Sequence, residues 1–341
     1  MTQQEIIEAI ERNIAGQGSM VDISGKLPGI LASIAEGAKF AEKTKITVQV
    51  RAYKWNDDDE EFENDPGAAG TLIVKGFSET GGTLPVREIP FVIPEDGEPK
   101  FATVEVEATI GDTIGIVGKV PGKGASCQLV QKVVGPVTMR PEIYPAGIYE
   151  IGDGSLSPTI SGSAYAGCAV VTEDFAVALL PHQQEGGNIT ILQWGSMGQS
   201  IPFVLKAKNA DEAITDFDGA LNTAAILSVA NGNDGAAKVA AIMPEPNSTI
   251  FGAFLPSMGI LKYLNDHKTE INTLITAATE EYSPNVDYQT IPSGEFWSST
   301  DCDGDTADLV WKIGLSLGNI SYGSRINNCK VFAVSVFQTL Y

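Results

Sequence analysis

The spacing of hydrophobic positions changes twice along the chain and divides it into three regions. Residues 1–45 place apolar side chains at helical spacing, which predicts two short amphipathic helices. Residues 46–140 alternate apolar and polar positions between clusters of Gly and Pro, a pattern typical of an all-β, immunoglobulin-like sandwich. Residues 141–341 combine strand-like and helical segments, which predicts an α+β domain. The expected fold class is therefore multidomain, with α+β and all-β parts.

The N-terminal region has clear helix signals. A capping-box pattern, Thr2-Gln3-Gln4-Glu5, opens the first helix, and Gly16 interrupts it. The second helix begins near Pro28 and collects its apolar residues on one face: Leu27, Ile30, Leu31, Ile34, Ala35 and Ala38. Two short helices cannot bury these stripes alone. They pack either onto the next domain or onto neighbouring subunits, and the second alternative predicts a homo-oligomer such as a trimer.

In the second region, strands are predicted at 46–50, 70–74, 101–106 and 112–117. The acidic run from Asp57 to Glu61 falls between the first two strands. Consecutive carboxylates in a strand connection usually form a solvated tip, so we expect no metal ion there.

The third region begins with strand-like segments at 169–172 and 175–180. A helical stretch follows Asp218 and continues to about Met243, and the clearest helix follows Leu255-Pro256-Ser257. An apolar strand over 331–337 is predicted near the C-terminus. Helices between strands, with strands at both ends, indicate an α+β layout.

Composition and charge limit the range of partners. Of 341 residues, 43% are hydrophobic and 19% are charged, which indicates a packed globular protein. A net charge of −21 argues against a nucleic acid partner, because phosphate binding needs clustered Lys and Arg. The N-terminus lacks the pattern of a signal peptide, and no run of about 18 apolar residues predicts membrane insertion. We therefore expect cytosolic synthesis as a soluble chain.

The four cysteines match no zinc-binding spacing: Cys127, Cys168, Cys302 and Cys329. A disulfide between Cys302 and Cys329 is conceivable, but the sequence does not supply its geometry. Free, small side chains are the favoured interpretation.

Catalytic and metal-binding groups are scarce in this sequence. The only histidines are His182 and His267, and neither follows a nucleophile pattern. Carboxylates alternate from Asp301 to Asp308, but an EF-hand loop needs Gly at its sixth position and Glu at its twelfth, where Lys312 stands. We expect no enzyme activity, no catalytic residue, no metal and no cofactor.

A series of short motifs carries a family resemblance. In chain order they are Gly147-Ile148-Tyr149, Asp218-Gly219-x-x-Asn222-Thr223, Leu255-Pro256-Ser257-Met258-Gly259, Trp297-Ser298-Ser299-Thr300, Trp311 and Val334-x-Val336-Phe337. This series resembles the C-type-lectin-fold domains of surface and phage proteins from gut anaerobes. Asp301 replaces the family's usual Glu, and the usual Arg of the closing strand is missing. The resemblance implies a C-type-lectin-fold, ligand-binding domain over residues 141–341.

Some members of this group are variable proteins of diversity-generating retroelements, including phage receptor-binding proteins similar to the major tropism determinant. In them, selected codons in the last part of the fold are randomised. The resemblance implies a variable ligand-binding face made of Asp301, Cys302, Asp303, Asp305, Lys312, Gly314, Ser316, Asn319, Ser321, Tyr322, Gly323, Arg325, Asn327 and Asn328. An ordinary Gly- and Ser-rich loop face is the alternative interpretation.

The implied function is receptor binding. The N-terminal segment from Ile14 to Leu31 resembles the start of phage or prophage tail-associated proteins. The expected partner is a cell-surface macromolecule, either a protein or a glycan, and the expected location is the virion or the extracellular space. Trp297 and Trp311 are predicted to be buried supports, with Tyr322 as an exposed contact. A structural virion subunit or an adhesin with the same fold and no variable face is the alternative.

Overall fold

A computed structural model describes residues 42–95, 100–152, 155–160, 167–179, 191–195, 201, 203–229, 235–241, 250–282, 290–303 and 308–337. The helices and the oligomerisation predicted from the N-terminal region fall on residues 1–41, outside this set. Strand structure already begins at Lys43, so the predicted helical region ends before residue 45. Among the described helices, none combines the length and apolar character that a bilayer crossing needs.

The first part of the described chain contains ten strands. They are β1 (Lys43–Asn56), β2 (Glu61–Asn64), β3 (Ala69–Phe77), β4 (Arg87–Val92), β5 (Ala102–Thr109), β6 (Thr113–Val120), β7 (Gly124–Ala125), β8 (Leu129–Lys132), β9 (Val137–Met139) and β10 (Glu142–Ile143). The four strands predicted from the alternating pattern are confirmed within β1, β3, β5 and β6.

These strands form two sheets around one apolar core. The long strand β1 pairs with β2, β5, β9 and β10, while β3 lies between β4 and β6, and β6 also pairs with β7 and β8. Alternate residues of β1 point inward, as the period of a strand requires. Side chains from both sheets are buried together, among them Ile46, Val48, Leu72, Ile114 and Ile116.

The second part contains twelve strands and five helices among the described residues. The strands are β11 (Gly147–Ile151), β12 (Leu156–Ser157), β13 (Gly167–Val171), β14 (Ala176–Leu179), β15 (Ile191–Gln193), β16 (Lys206–Ala207), β17 (Ile250–Phe254), β18 (Glu295–Cys302), β19 (Leu309–Gly314), β20 (Ile320–Ser324), β21 (Asn328–Lys330) and β22 (Val334–Phe337). The helices are α1 (Ala210–Ala213), α2 (Gly219–Val229), α3 (Ala236–Ala241), α4 (Met258–Asp266) and α5 (Lys268–Tyr282).

Two further sheets organise this second part. One has the order β12-β11-β13-β14-β22-β17, so it contains both the first and the last strand of the region. The other has the order β15-β21-β18-β19-β20, and β16 pairs in parallel with β18. With four sheets and few helices among the described residues, the fold is largely β.

The predicted helices are confirmed with altered boundaries. The helical stretch after Asp218 corresponds to α2 and α3, and residues 230–234 between them are outside the described set. The helix expected after Ser257 is divided at His267, whose ring stacks on Tyr263 at 4.1 Å between centroids. The predicted terminal strand is shorter than expected, because only its last four residues pair with β14 and β17.

The first two sheets and the second part share packed residues rather than a linker. Tyr53 and Tyr144 stack at 4.6 Å between centroids and belong to the core cluster that extends to Phe337. A polar contact reinforces this junction, because Asp218 accepts hydrogen bonds from Lys75 Nζ at 2.6 Å and from Gln128 Nε2 at 2.9 Å. The motif that contains Asp218 is thus bonded to the β-sheets that precede it in the chain.

Candidate functional site

Strand β18 is the central support of the C-terminal sheet. It lies between β21 and β19, and Trp297, Ser298, Ser299 and Thr300 are fully buried. The pairing with β19 shifts between Trp297 and Asp301, where four steps along β18 face two along β19. This bulge allows the polar side chains of β18 to bond outside the ladder, as Ser298 Oγ does to the Trp311 carbonyl at 2.8 Å.

A buried carboxylate connects three of the sequence motifs. Asp216 Oδ2 accepts hydrogen bonds from Thr300 Oγ1 at 2.7 Å and from Asn222 Nδ2 at 2.9 Å, and Asp216 Oδ1 accepts one from the Asp218 N–H at 3.0 Å. The Thr300 hydroxyl also accepts a bond from the Met258 N–H at 2.9 Å, at the start of α4. We call Asp216, Asn222, Met258 and Thr300 the buried polar network. It joins α2, α4 and β18.

Two motif glycines are needed because backbone comes close to them. A Cβ on Gly259 would lie 2.6 Å from the carbonyl oxygens of both Ile214 and Asp216. A Cβ on Gly219 would lie 2.8 Å from the Phe254 ring and 3.0 Å from a backbone nitrogen. Gly259 packs against the loop that carries Asp216, and Gly219 packs against Phe254 and the Ser257 backbone, which explains why glycine occurs in both motifs.

The motifs that carry the family resemblance lie inside the protein. Trp297 and Trp311 are buried, which confirms their predicted supporting role. Trp297 Nε1 donates to the Leu192 carbonyl at 2.9 Å, and Trp311 Nε1 donates to the Ala207 carbonyl at 3.2 Å. These bonds satisfy the polar atoms of both rings, so the two tryptophans hold the neighbouring strands β15 and β16 in place.

The fourteen residues predicted as a variable face differ in their exposure. Six are exposed: Asp303, Ser316, Asn319, Tyr322, Asn327 and Asn328. Five are half-buried: Cys302, Lys312, Gly314, Ser321 and Gly323. Asp301 and Arg325 are buried, and Asp305 lies outside the described residues.

The expectation that Asp301 and Arg325 are surface contacts is wrong. Arg325 Nη2 lies 2.6 Å from Asp301 Oδ1, and its guanidinium carbon lies 4.6 Å from the centre of the Trp194 ring. Asp301 Oδ1 also accepts the Cys302 N–H at 3.0 Å. The two charges are paired inside the protein, where removal of Arg325 would leave the Asp301 carboxylate without this counterion.

The predicted contact residues Ser321 and Tyr322 of β20 do not lie on the same face of the sheet. Consecutive residues of a strand point to opposite sides, so Ser321 and Tyr322 diverge. Ser321 pairs with Lys312, whose amine is held by Glu295 at 2.8 Å. Tyr322 pairs with Trp311 on the other side, with the two rings 5.7 Å apart and perpendicular.

The exposed residues also lie at two ends of the sheet. Asp303 follows the C-terminal end of β18. The turn that contains Asn327 follows the C-terminal end of β20, which lies at the same end of the sheet. Ser316 and Asn319 lie in the β19–β20 connection instead, beside Gly314. The five residue steps along β19 separate these ends by about 17 Å. A ligand that contacts both groups has to span the sheet.

Sequence reasoning missed three apolar residues near these positions. Leu317, Ile326 and Ile191 are 82%, 50% and 60% exposed. Leu317 and Ile326 lie in the connections that flank β20, and Ile191 begins the edge strand β15. The sequence does contain a signal for these residues. A large apolar side chain in an otherwise polar turn is unusual, because such residues are usually buried.

All four cysteines are free thiols, so no disulfide joins Cys302 to Cys329. Burial raises the pKa of the Cys302 thiol, and the charges of Asp301 and Asp303 raise it further. The thiolate is therefore disfavoured at this position. Among the described residues, no three His, Cys, Asp or Glu side chains are grouped as ligands for a metal ion.

Comparisons with known proteins give little information. The sequence matches no protein-family model and no curated protein. Among solved structures it is similar to a candidate polysaccharide-binding protein from Bacteroides thetaiotaomicron, with 10% identity over 42% of this chain and 67% of that chain. The TM-score is 0.21, a likeness too low to support an argument about fold or function.

Replacing Thr300 with Val should destabilise the protein, because the shape is kept while two buried hydrogen bonds are lost. We expect the free energy of unfolding to fall by roughly 1–3 kcal/mol in urea denaturation. Thr276→Val is the matched control, since its exposed hydroxyl bonds only to a helix carbonyl. Equal effects of the two substitutions would contradict the network's role.

The buried polar network also predicts a pH dependence. Burial, together with the charge of Asp218, raises the pKa of Asp216 from 3.8 to about 6. The folded chain therefore binds this proton more tightly than the unfolded chain does, and stability from this group increases as pH falls through about 6.

Denaturation of the wild type and of Asp216→Asn at about pH 7 and about pH 5 tests this sign, because the Asn side chain does not titrate there. We expect the wild type to gain more stability on acidification than the variant gains. An identical pH response would show that Asp216 titrates at the same pH in both states.

Proposed function

We propose that this protein is a receptor-binding protein of a phage or prophage tail and that its C-terminal region has the C-type lectin fold. The observation that carries the proposal is the contrast between support and surface in the last 45 residues. Trp297, Trp311 and the Asp301–Arg325 pair are buried. The surrounding exposed residues are Asp303, Ser316, Asn319, Tyr322, Asn327 and Asn328. Short polar side chains on a fixed frame suit recognition.

The chemistry of the exposed residues favours binding to a macromolecule. Asn and Ser side chains donate and accept hydrogen bonds and lose little conformational freedom when they are ordered. Tyr322, which is 58% exposed, adds a rigid aromatic surface with a polar end. The proposed partner is a host cell-surface protein or glycan, reached from the virion or the extracellular space.

The burial of each residue also indicates which positions of this segment can be diversified. Random substitution is tolerated at exposed positions, where most changes alter stability little. At Arg325 it would remove the buried counterion of Asp301, and at Asp301 it would break the same buried pair, which is strongly destabilising. We therefore propose that the diversified positions are the exposed and half-buried residues, and that the buried ion pair is fixed.

The neighbouring DNA tests this proposal directly. We expect a reverse transcriptase gene and a near-copy of the 3′ end, with adenines at the codons of Tyr322, Asn327 and Asn328. The Arg325 codon should be free of adenine, as CGT, CGC and CGG are, and the near-copy should begin after the Asp301 codon, because every Asp codon contains an adenine. If no near-copy exists, the proposal that this segment is diversified is wrong. The alternative is then a structural virion subunit or an adhesin without a variable face.

Binding itself can be measured with the labelled full-length chain on a panel of bacterial strains by flow cytometry. For a strain that binds, the double variant Asn327→Ala/Asn328→Ala should weaken the apparent affinity about tenfold, because both side chains are exposed in the proposed surface. Thr273→Ala/Thr276→Ala on α5 is the control, with hydroxyls that bond only to helix carbonyls. Binding to no strain, or equal loss in both variants, would count against the proposal.

A further inference from the structure

Strand β20 is an edge strand with few of the usual protections. It pairs with β19 on one side, and no other described strand pairs with it. Its five residues, Ile320 to Ser324, include no charged side chain and no proline. Natural edge strands usually carry Lys, Pro, inward charges or bulges that block the addition of another strand.

Other edges in the described part of the chain are charged, bulged or very short, as β12 with two residues and β15 with three are. The edge strand β4 contains Arg87, Glu88 and Pro90. Strand β2 carries Glu61 and Glu63, and β17 contains a bulge. The open edge of β20 is therefore a local property of the sheet that holds the proposed recognition surface.

The backbone of β20 is available for pairing. In an antiparallel pair, residues alternate between those bonded to the partner strand and those that point away. The Gly314 N–H donates to the Asn319 carbonyl at 2.9 Å, and the Arg325 N–H donates to the Asp308 carbonyl at 2.8 Å. This alternation directs the amides of Ser321 and Gly323 toward β19 and those of Ile320 and Tyr322 outward.

The outward groups are unused within the described residues. No hydrogen bond in this part of the chain involves the backbone N–H or C=O of Ile320 or Tyr322 on the outer side. Two residues spaced by two along an exposed strand present the donor and acceptor pattern that an extended peptide matches. A glycan has no equivalent repeating backbone.

We infer that the β20 edge binds an extended segment of a protein partner by strand addition, with Tyr322 packed against it. This inference rests on the proposed binding function and names the partner's class. Charge favours a neutral or basic segment of another protein over a second copy, because each copy carries a net charge of −21 and would repel the other.

The test uses the immobilised full-length chain and a phage-displayed library of random linear peptides. The enriched peptides should contain neutral or basic residues. N-methylation of their backbone should abolish binding when it is placed at alternate residues, those that donate to β20, and not at the residues between them. Tyr322→Pro removes an outward N–H, which edge strands tolerate, whereas Tyr322→Thr loses the ring but keeps the N–H. We expect peptide affinity to be about tenfold weaker in the Pro variant than in the Thr variant.

Hydrogen exchange supplies a readout on the unaltered chain, should the Pro variant fail to fold. Peptide addition should slow exchange at the amides of Ile320 and Tyr322 but not at those of Ser321 and Gly323. The inference is overturned if no peptide is enriched, if the Pro and Thr variants bind alike, or if protection is absent at these amides.

Two outcomes separate this inference from the proposed function. If the Pro variant still binds cells as well as the Thr variant does, the receptor-binding proposal stands and strand addition is wrong. If sedimentation shows a concentration-dependent dimer that Tyr322→Pro abolishes, the occupant is a second copy, and the assignment of a partner protein is overturned.

Discussion

The carboxylate of Asp216 is the interaction on which the C-terminal region depends. It is buried, and its cost is offset by hydrogen bonds from Thr300, Asn222 and the backbone of Asp218. These bonds join β18 to α2, and the Met258 N–H, which donates to Thr300, adds the start of α4. Asp218 and Asn222 come from one motif and Thr300 from another, so loss of either motif would leave a buried polar group with fewer hydrogen bonds.

This arrangement separates the residues that maintain the fold from those that meet solvent. The buried polar network and the Asp301–Arg325 pair use the inward side chains of β18 and the turn after β20. The exposed side chains come from the same strands and turns but point outward. A surface can therefore change in sequence while the hydrogen bonds beneath it remain, provided that the inward positions are kept.

Much of the fold could be predicted from sequence, because alternation in β1 and helical spacing in α4 directly reflect which side chains are buried. The site was predicted less well. Asp301 and Arg325 look like surface residues in a polar segment, and only the three-dimensional pairing shows that they neutralise each other. The strand register also decides which neighbours Ser321 and Tyr322 have on β19, and registers depend on contacts far apart in the chain.

The continuous core between the first sheets and the C-terminal region has a consequence for avidity. Tyr53 and Tyr144 belong to the cluster that reaches Phe337, so the described parts meet without a flexible connection. If the first two sheets are held in a fixed position, the direction in which the C-terminal surface points is therefore fixed as well. If several copies are held together, the spacing between their C-terminal surfaces is also fixed, and under the proposed function only binding sites arrayed at a matching spacing would gain from multivalent attachment.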